Sequence, residues 1–227
     1  MKMSMADRPL RPSSIAKRAA ILDAAEAEFL AHGYEKVTMD AIARRSGVAK
    51  QTLYGHFGGK ESLFLALVRS QTRAATERVR RSDPVVTDED ADARELLGGV
   101  LRSQLATVLT PNLLALRRLV IGLLPQFPEL ARELYEQGVE QAIHALTALL
   151  TDLDAAGRLV VEQPERAATQ LNWLVMGEPV NRAMLLGDDS ARDGLDIAAH
   201  VDAALDVFLA AYGAPPIAPV RERRVGG

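Results

Sequence analysis

The preference for alanine and leucine over β-branched residues is the feature that most constrains the fold of this 227-residue chain. The sequence contains 36 Ala and 32 Leu against 18 Val and 7 Ile. Ala and Leu lose little conformational freedom in a helix, whereas β-branched side chains lose rotamers there. The imbalance therefore predicts an all-α protein, and the length is sufficient for one large or two small domains with buried cores.

The cysteine and histidine counts and the lengths of the apolar runs disfavour several kinds of functional site and several cellular locations. The sequence has no cysteine, so it has no disulfide, no Cys-ligated metal and no thiol nucleophile. The four histidines are scattered without paired spacing, and we expect no metal or other cofactor. No apolar run approaches the roughly 18 residues of a membrane span, and residues 1–14 lack the apolar core of a secretory signal. We expect a cytoplasmic protein with no membrane partner.

Charge is distributed unevenly along the chain. Residues 1–60 contain ten Lys or Arg and six Asp or Glu, whereas the remainder contains 17 and 24. A net charge of +4 is thus followed by one of -7. A basic N-terminal quarter on an acidic body is typical of a nucleic-acid-binding head, although a difference of this size also arises by chance.

Capping and turn residues divide the chain into about nine helices. We predict them over residues 13–33, 39–46, 49–57, 60–81, 88–109, 112–125, 128–156, 164–186 and 195–212. Residues 1–12 are expected to form a disordered basic arm and residues 214–227 a disordered tail. Pro179 lies inside the eighth helix and is expected to bend or split it, because proline removes a backbone donor.

The most informative window is TMDAIARRSGVAKQTLYGHFGGKESLF, residues 38–64, which predicts a helix-turn-helix. Gly47 supplies the tight turn. Leu53 and Phe57 are four residues apart and face inward together, which turns a polar face outward. That face carries Lys50, Gln51 and Tyr54. Lys donates to guanine, Gln pairs bidentately with adenine, and hydroxyl groups hold phosphate oxygens.

This window resembles the N-terminal domain of the TetR family of transcriptional repressors. The resemblance begins at ILDAAEAEFLAHGYEKVT in the first helix and continues through GVAKQTLYGHFGGKESLF, in the order and spacing of that family. It implies an all-α homodimer that binds a double-stranded DNA operator with three N-terminal helices and encloses a small-molecule effector with its C-terminal helices. The segment RRLVIGLLPQFPELARELYEQG is similar to an AefR-like subgroup of the family's C-terminal domains.

Carried over by position, the resemblance assigns DNA contacts to individual residues. The base-reading candidates are Lys50, Gln51 and Thr52. The candidates for holding the DNA backbone are Thr38, Tyr54, His56 and Lys60, to which the crossing of the second helix over the backbone adds Arg44 and Arg45. The alternative is structural: Thr38 as a helix cap, Tyr54 and His56 as half-buried helix residues, and the lysines as solvated charges. Gly55 replaces the bulkier residue often found there, which predicts a smaller footprint on each half-site.

The domain expectations are a helix-turn-helix domain over residues 13–60 and an effector-binding and dimerisation domain over residues 61–213. Bulky or polar side chains on otherwise Ala/Leu-rich faces are the candidates for the effector pocket. They are Tyr135, His144, Asn172, Trp173 and Met176. The last two helices are expected to form a four-helix bundle with a partner. The candidates for that interface are Leu171, Val175, Val201, Leu205, Phe208 and Tyr212, and for both sets the alternative is ordinary core.

The sequence thus predicts a ligand-responsive transcriptional regulator, a repressor that binds a palindromic operator as a dimer and is released by a small, mostly apolar effector. Two alternatives stay open. An effector-independent architectural DNA-binding protein would use the same head. An α-helical enzyme has less support, because no catalytic spacing is present; GGKES at residues 58–62, for example, has Glu61 where a phosphate-binding loop has Ser or Thr.

Overall fold

The computed structural model of the chain describes residues 12–81, 92–187 and 194–213, and only the backbone of residues 12 and 13. The arm and tail expected at residues 1–12 and 214–227 lie outside this part of the chain, except that Pro12 begins the first helix. The described residues contain helices and no strand, apart from an isolated antiparallel bridge between Leu159 and Gly213. The predicted all-α class is confirmed.

Four helices form the N-terminal part of the molecule: α1 (Pro12–Lys36), α2 (Met39–Ser46), α3 (Lys50–Phe57) and α4 (Lys60–Arg81). Their ends lie where local chemistry predicts them. Thr38 caps α2, and Gly47 ends it with a left-handed φ of 69°. In α1 the backbone leaves helical geometry at the predicted stop, Gly33, with φ 75° and ψ 164°, before a short extension to Lys36. Glycine accepts a positive φ without the steric penalty of a Cβ.

The C-terminal helices are α5 (Ala93–Val108), α6 (Pro111–Gly122), α7 (Pro128–Leu134), α8 (Gln141–Ala155), α9 (Pro164–Leu186) and α10 (Ile197–Tyr212). A π-helical segment, Tyr135–Glu140, joins α7 to α8 without a break. Counted as one, these three pieces make nine helices in the described residues, as predicted. No single described helix is long and apolar enough to cross a membrane; α5 and α6 meet that test only together, across a 64° bend.

Pro179 lies within α9, which continues past it from Pro164 to Leu186 rather than splitting there. Because proline has no backbone N–H, the carbonyl of Val175, four residues earlier, has no partner in its own helix. His200 of α10 supplies one, with Nε2 lying 2.8 Å from the Val175 oxygen. This contact satisfies the released carbonyl and ties α9 to α10.

The buried apolar side chains form two clusters. The N-terminal core joins α1–α4 to α6 and α7, and includes Phe29, Ile42, Leu53, Phe64 and Leu67. The C-terminal core joins α5, α6 and α8–α10, and includes Leu101, Leu105, Leu150, Leu171 and Phe208. The N-terminal core extends beyond residue 60 into α4, so the head expected at 13–60 is packed as one unit with the first half of that helix.

Candidate nucleic-acid interface and cavity

The crossing of α2 and α3 is fixed by their inward side chains. Ile42 and Ala43 of α2 and Leu53 and Phe57 of α3 are all buried. Thr38 holds the start of α2 through its side-chain oxygen, which accepts a hydrogen bond from the Ala41 amide at 3.2 Å. With the apolar side chains turned inward, the opposite face of α3 is left to solvent.

That outward face carries the side chains that the sequence assigned to DNA. Lys50, Gln51 and Tyr54 are exposed on α3, and Thr52 and His56 are half-buried. Thr38, Arg44 and Arg45 are exposed at the two ends of α2. The structure therefore brings these eight residues to adjacent helices of one small head. In shape and chemistry this surface fits the major groove, which admits an α-helix.

Lys50 already has an acidic neighbour on this surface. Its Nζ lies 2.7 Å from Asp40 Oδ1 of α2, and 6.0 Å from the centre of the Tyr54 ring. The hydrogen bond to Asp40 raises the pKa of Lys50. Since both partners are exposed, the pair is weak, and a nucleic acid can compete with Asp40 for the ammonium group.

Arg45 also has a partner within the chain. Its Nη1 lies 3.2 Å from Glu28 Oε1 of α1, which links α1 to α2 across the head. Arg44, one residue earlier, is exposed. Of the two arginines proposed to contact the DNA backbone, Arg45 is thus already paired with a carboxylate of α1.

Lys60 has a structural role that the sequence did not reveal. Its Nζ donates to the carbonyl oxygens of Tyr34 at 2.9 Å, Val37 at 3.2 Å and Glu35 at 3.4 Å. It also lies 4.3 Å from the centre of the Tyr34 ring. An ammonium group has three donors, and here all three are directed at the C-terminal end of α1. No local pattern links residues 34 and 60, so only the folded chain shows this contact.

Replacing Lys60 with Met is expected to lower the free energy of unfolding by about 1–3 kcal/mol, because three charge-assisted hydrogen bonds are lost while the apolar stem is kept. Urea titration followed by far-UV circular dichroism measures the change. Lys17→Met, at an exposed position of α1, is the matched control and should stay within about 0.5 kcal/mol of the parent. Equal effects of the two substitutions would contradict the capping role.

A cavity of about 460 Å³ lies among α4, α5, α6, the π-helical segment, α8 and α9. Four of the five predicted pocket residues line it: His144, Asn172, Trp173 and Met176. Tyr135 does not, and its side chain is 50% exposed at the start of the π-helical segment. A larger groove of about 1030 Å³ runs along α1 and α4, but mainly polar and charged side chains line it. The apolar cavity is the better candidate for a small-molecule site.

Polar side chains interrupt the apolar wall of this cavity at a few points. Gln104 of α5 donates from Nε2 to Asn172 Oδ1 of α9 at 3.3 Å, and both residues are buried. Thr72 of α4 donates to its own helix, at Val68 O. Two arginines, Arg80 and Arg117, also line the cavity, and the sequence analysis missed both. The sequence shows both arginines beside apolar residues, which is a signal for a charge near an apolar wall. It contains nothing, however, that indicates which of the adjacent Arg117 and Arg118 faces the cavity.

The residues proposed for the dimer interface require a correction. Leu171, Val175, Val201, Leu205 and Phe208 are at most 2% exposed, because α9 and α10 turn them into the C-terminal core of the same chain. Side chains packed inside one protomer cannot meet a partner. Tyr212 is half-buried, with its hydroxyl donating to Gln170 Oε1 at 2.7 Å. Different large apolar side chains are exposed on these two helices: Trp173, Leu174, Leu185, Leu186 and Val207.

Models of known families match two parts of the chain. Residues 21–67 match the bacterial regulatory proteins of the tetR family, and residues 95–214 match the C-terminal domain of AefR-like transcriptional repressors. The first match contains the helix-turn-helix, and the second contains most of the cavity.

Curated relatives are similar over the head and part of the body. The transcriptional repressor AcnR of Corynebacterium efficiens is 34% identical over 79 residues, which is 35% of this chain and 39% of that protein. The repressor Rv1474c of Mycobacterium tuberculosis is 32% identical over 127 residues, 56% of this chain and 61% of that protein. The chain thus matches less than two thirds of the length of either relative.

Solved structures are similar over nearly the whole fold. A protein described as a TetR-family transcriptional regulator from Mesorhizobium loti has a TM-score of 0.82 and 30% identity, covering 89% of this chain and 100% of its own. The flavonoid-responsive regulator FrrA has a TM-score of 0.70 and 33% identity, covering 89% of this chain and 98% of its own. The similarity therefore includes the arrangement of the head on the C-terminal helices.

Proposed function

The chain belongs to the TetR family of bacterial transcriptional regulators, and from this membership we propose that it binds a palindromic DNA operator as a homodimer and is released by a small, mostly apolar effector. Its relatives are transcriptional regulators and not enzymes, which removes the enzyme alternative. We propose repression as the outcome of binding, because AcnR and Rv1474c are both repressors.

The observation that carries the DNA-binding proposal is the polar outward face of α3 above its two buried anchors, Leu53 and Phe57. In this proposal Lys50, Gln51 and Thr52 contact base edges. The DNA backbone is held by Thr38, Arg44, Arg45, Tyr54 and His56. Lys60 contributes to DNA binding indirectly, because its ammonium group positions the C-terminal end of α1. In addition, α4 begins at Lys60, and the backbone amides of its first turn can donate to a phosphate.

We propose that dimers form through the outward faces of α9 and α10. These faces expose Leu174 on α9 and Val207 on α10, with Ala203 and Ala210 beside Val207. Small and apolar residues allow close packing between helices. A two-fold axis through this surface would present two heads to successive major grooves of a palindromic site, about 34–36 Å apart.

The proposed effector site is the 460 Å³ cavity, and α4 is the element that connects it to the head. Lys60, at the start of α4, holds the end of α1, whereas Thr72, Thr76 and Val79 in its second half line the cavity. A ligand that binds one orientation of α4 better than another shifts the population of head spacings. The cavity favours this mechanism over an architectural role, and FrrA, a structural neighbour, is described as flavonoid-responsive.

Binding to labelled DNA tests the proposal directly. Duplexes from the region upstream of the chain's own gene, or selected from a random pool, are titrated by fluorescence anisotropy against a scrambled duplex at two salt concentrations. We expect the selected site to bind at least about a thousandfold more tightly than the scramble. Failure to bind any duplex, including those of the random pool, would exclude operator recognition.

Two substitutions in the head separate base reading from backbone contact. Gln51→Ala should relax the preference at one base pair, at a cost of about 1–3 kcal/mol on the preferred site. Arg44→Gln, its matched control on α2, should weaken binding to all sequences alike and reduce the salt dependence by about one unit of slope. The same loss and the same salt slope in both variants would contradict the assigned roles.

A further inference from the structure

Arg117 of α6 lies at the wall of the cavity and has no counter-ion among the described residues. Across residues 12–81, 92–187 and 194–213, no hydrogen bond or ion pair joins its guanidinium to another residue. Burial lowers the pKa of Arg117 from its ordinary value, with no neighbouring charge contributing to the shift. The side chain is half-buried, and a charged group that is partly removed from water without a partner carries a desolvation cost.

The other basic groups near the cavity differ from Arg117. Arg80, which also lines it, is held by Glu77 on the same helix, with nitrogen–oxygen distances of 3.0 and 3.2 Å. Arg118, the next residue on α6, donates from Nη1 to the Ala183 carbonyl at 3.2 Å. Arg118 does not line the cavity, and His144 is the third basic side chain of the wall, after Arg80 and Arg117. No Asp or Glu is among the lining residues in the described part of the chain, so the wall itself supplies no acid to pair with Arg117.

The remainder of the wall is apolar or neutral. Side chains such as Val79, Val100, Leu113 and Met176 provide apolar surface, and the Gln104–Asn172 amide pair provides neutral hydrogen-bonding groups. A guanidinium group has five donors and no acceptor, so it pairs best with an oxygen anion, which accepts two of its hydrogen bonds at once. A neutral acceptor would leave the charge uncompensated, and a cation would be repelled.

We propose that the effector is an apolar molecule bearing one anionic oxygen group, such as a carboxylate, and that this group pairs with Arg117 while the apolar body fills the cavity. The proposal rests on the proposed function of the cavity as the effector site and specifies the ligand's chemical class. An anionic group on the ligand would offset the desolvation cost of the Arg117 guanidinium, and this gain would contribute to affinity.

Two fluorescent dyes that share one apolar body test the charge requirement. 1-Anilinonaphthalene-8-sulfonate carries an anionic oxygen group, and N-phenyl-1-naphthylamine is the same skeleton without it. Each is titrated into the parent protein, into Arg117→Met and into Arg132→Met, a control at an exposed position of α7 outside the cavity wall. Competition between the dyes establishes that they occupy one site. Release of labelled operator by the sulfonate dye is followed in parallel by anisotropy.

We expect the parent protein to bind the sulfonate dye about 10- to 100-fold more tightly than the neutral dye. Arg117→Met should lose this preference and keep its affinity for the neutral dye, whereas Arg132→Met should keep the preference. Equal binding of both dyes by the parent, or equal losses of both in Arg117→Met, would overturn the anion proposal and leave the effector cavity in place. If neither dye binds, the effector cavity and the anion proposal both fail.

A measurement without ligand separates this role from a structural one. Because Met is similar in length and needs no counter-ion, Arg117→Met should raise the melting temperature of the unliganded protein by about 2–4 °C. A fall in melting temperature would mean that Arg117 supports the fold and would overturn the proposal. Arg117→Gln, which keeps a neutral polar group, should lose the dye preference as Arg117→Met does.

Discussion

Placing glutamate at both Leu174 and Val207 is expected to convert the protein to a monomer and to lower its operator affinity by about 10²- to 10⁴-fold. Leu174 is 42% exposed on α9 and Val207 is 60% exposed on α10, on the outward faces of the proposed dimer helices. A two-fold interface uses the same surface of both protomers, so each new charge is buried near like charges of the partner. Without the second head, the affinity gained by binding both half-sites together is lost.

Size-exclusion chromatography with light scattering measures the oligomeric state of this variant, and anisotropy measures operator binding. Val160→Glu is the matched control, because Val160 is 56% exposed but lies outside α9 and α10. It should leave both properties unchanged. The interface would be located elsewhere if the double variant remained a dimer at the concentrations at which the parent is one.

Replacing Phe64 with alanine is expected to lower the free energy of unfolding by about 3–5 kcal/mol, the largest stability effect that we predict. Phe64 is fully buried in the N-terminal core. Its ring packs against Phe29 with centroids 4.8 Å apart and against Tyr34 at 5.3 Å. Truncation removes the buried apolar surface and leaves a cavity at the centre of this aromatic group.

Urea unfolding of Phe64→Ala is best compared with that of Phe127→Ala. Phe127 belongs to the same aromatic group, with its ring 5.2 Å from that of Tyr34, but it is only half-buried. We therefore expect a smaller loss, about 1–2 kcal/mol, in the control. Losses of similar size would show that α1 and α4 do not depend on Phe64 as the centre of their packing.

Helix ends in this protein could be predicted because their chemistry is local. Thr38 and Gly47 bound α2, and prolines occupy the first position of α6, α7 and α9. The π-helical segment Tyr135–Glu140 could not be predicted in this way. Its sequence, YEQGVE, contains nothing that separates it from an ordinary helical turn, so its geometry depends on packing with distant helices.

The residues that the sequence predicted for the dimer interface illustrate the main limit of hydrophobic periodicity. Val201, Leu205 and Phe208 follow a spacing that marks one buried face of α10, and that face is indeed buried. Periodicity does not state whether the burial is within one chain or between two, and here it is within one. Lys60 shows a related limit of local sequence patterns. The three carbonyl oxygens that accept its hydrogen bonds lie 23 to 26 residues earlier in the chain, so no local pattern predicts these contacts.

The position of α6 in both cores limits how freely the head can be exchanged between proteins. Leu114 belongs to the C-terminal core, whereas Leu116 and Val120, on the same short helix, belong to the N-terminal core. A hybrid made by grafting residues 13–60 onto a foreign body would leave the N-terminal core without α4, α6 and α7, and its aromatic centre would open to water. An exchange of DNA specificity would therefore have to carry α4, α6 and α7 along with the head, or proceed by changing the surface of α3 alone.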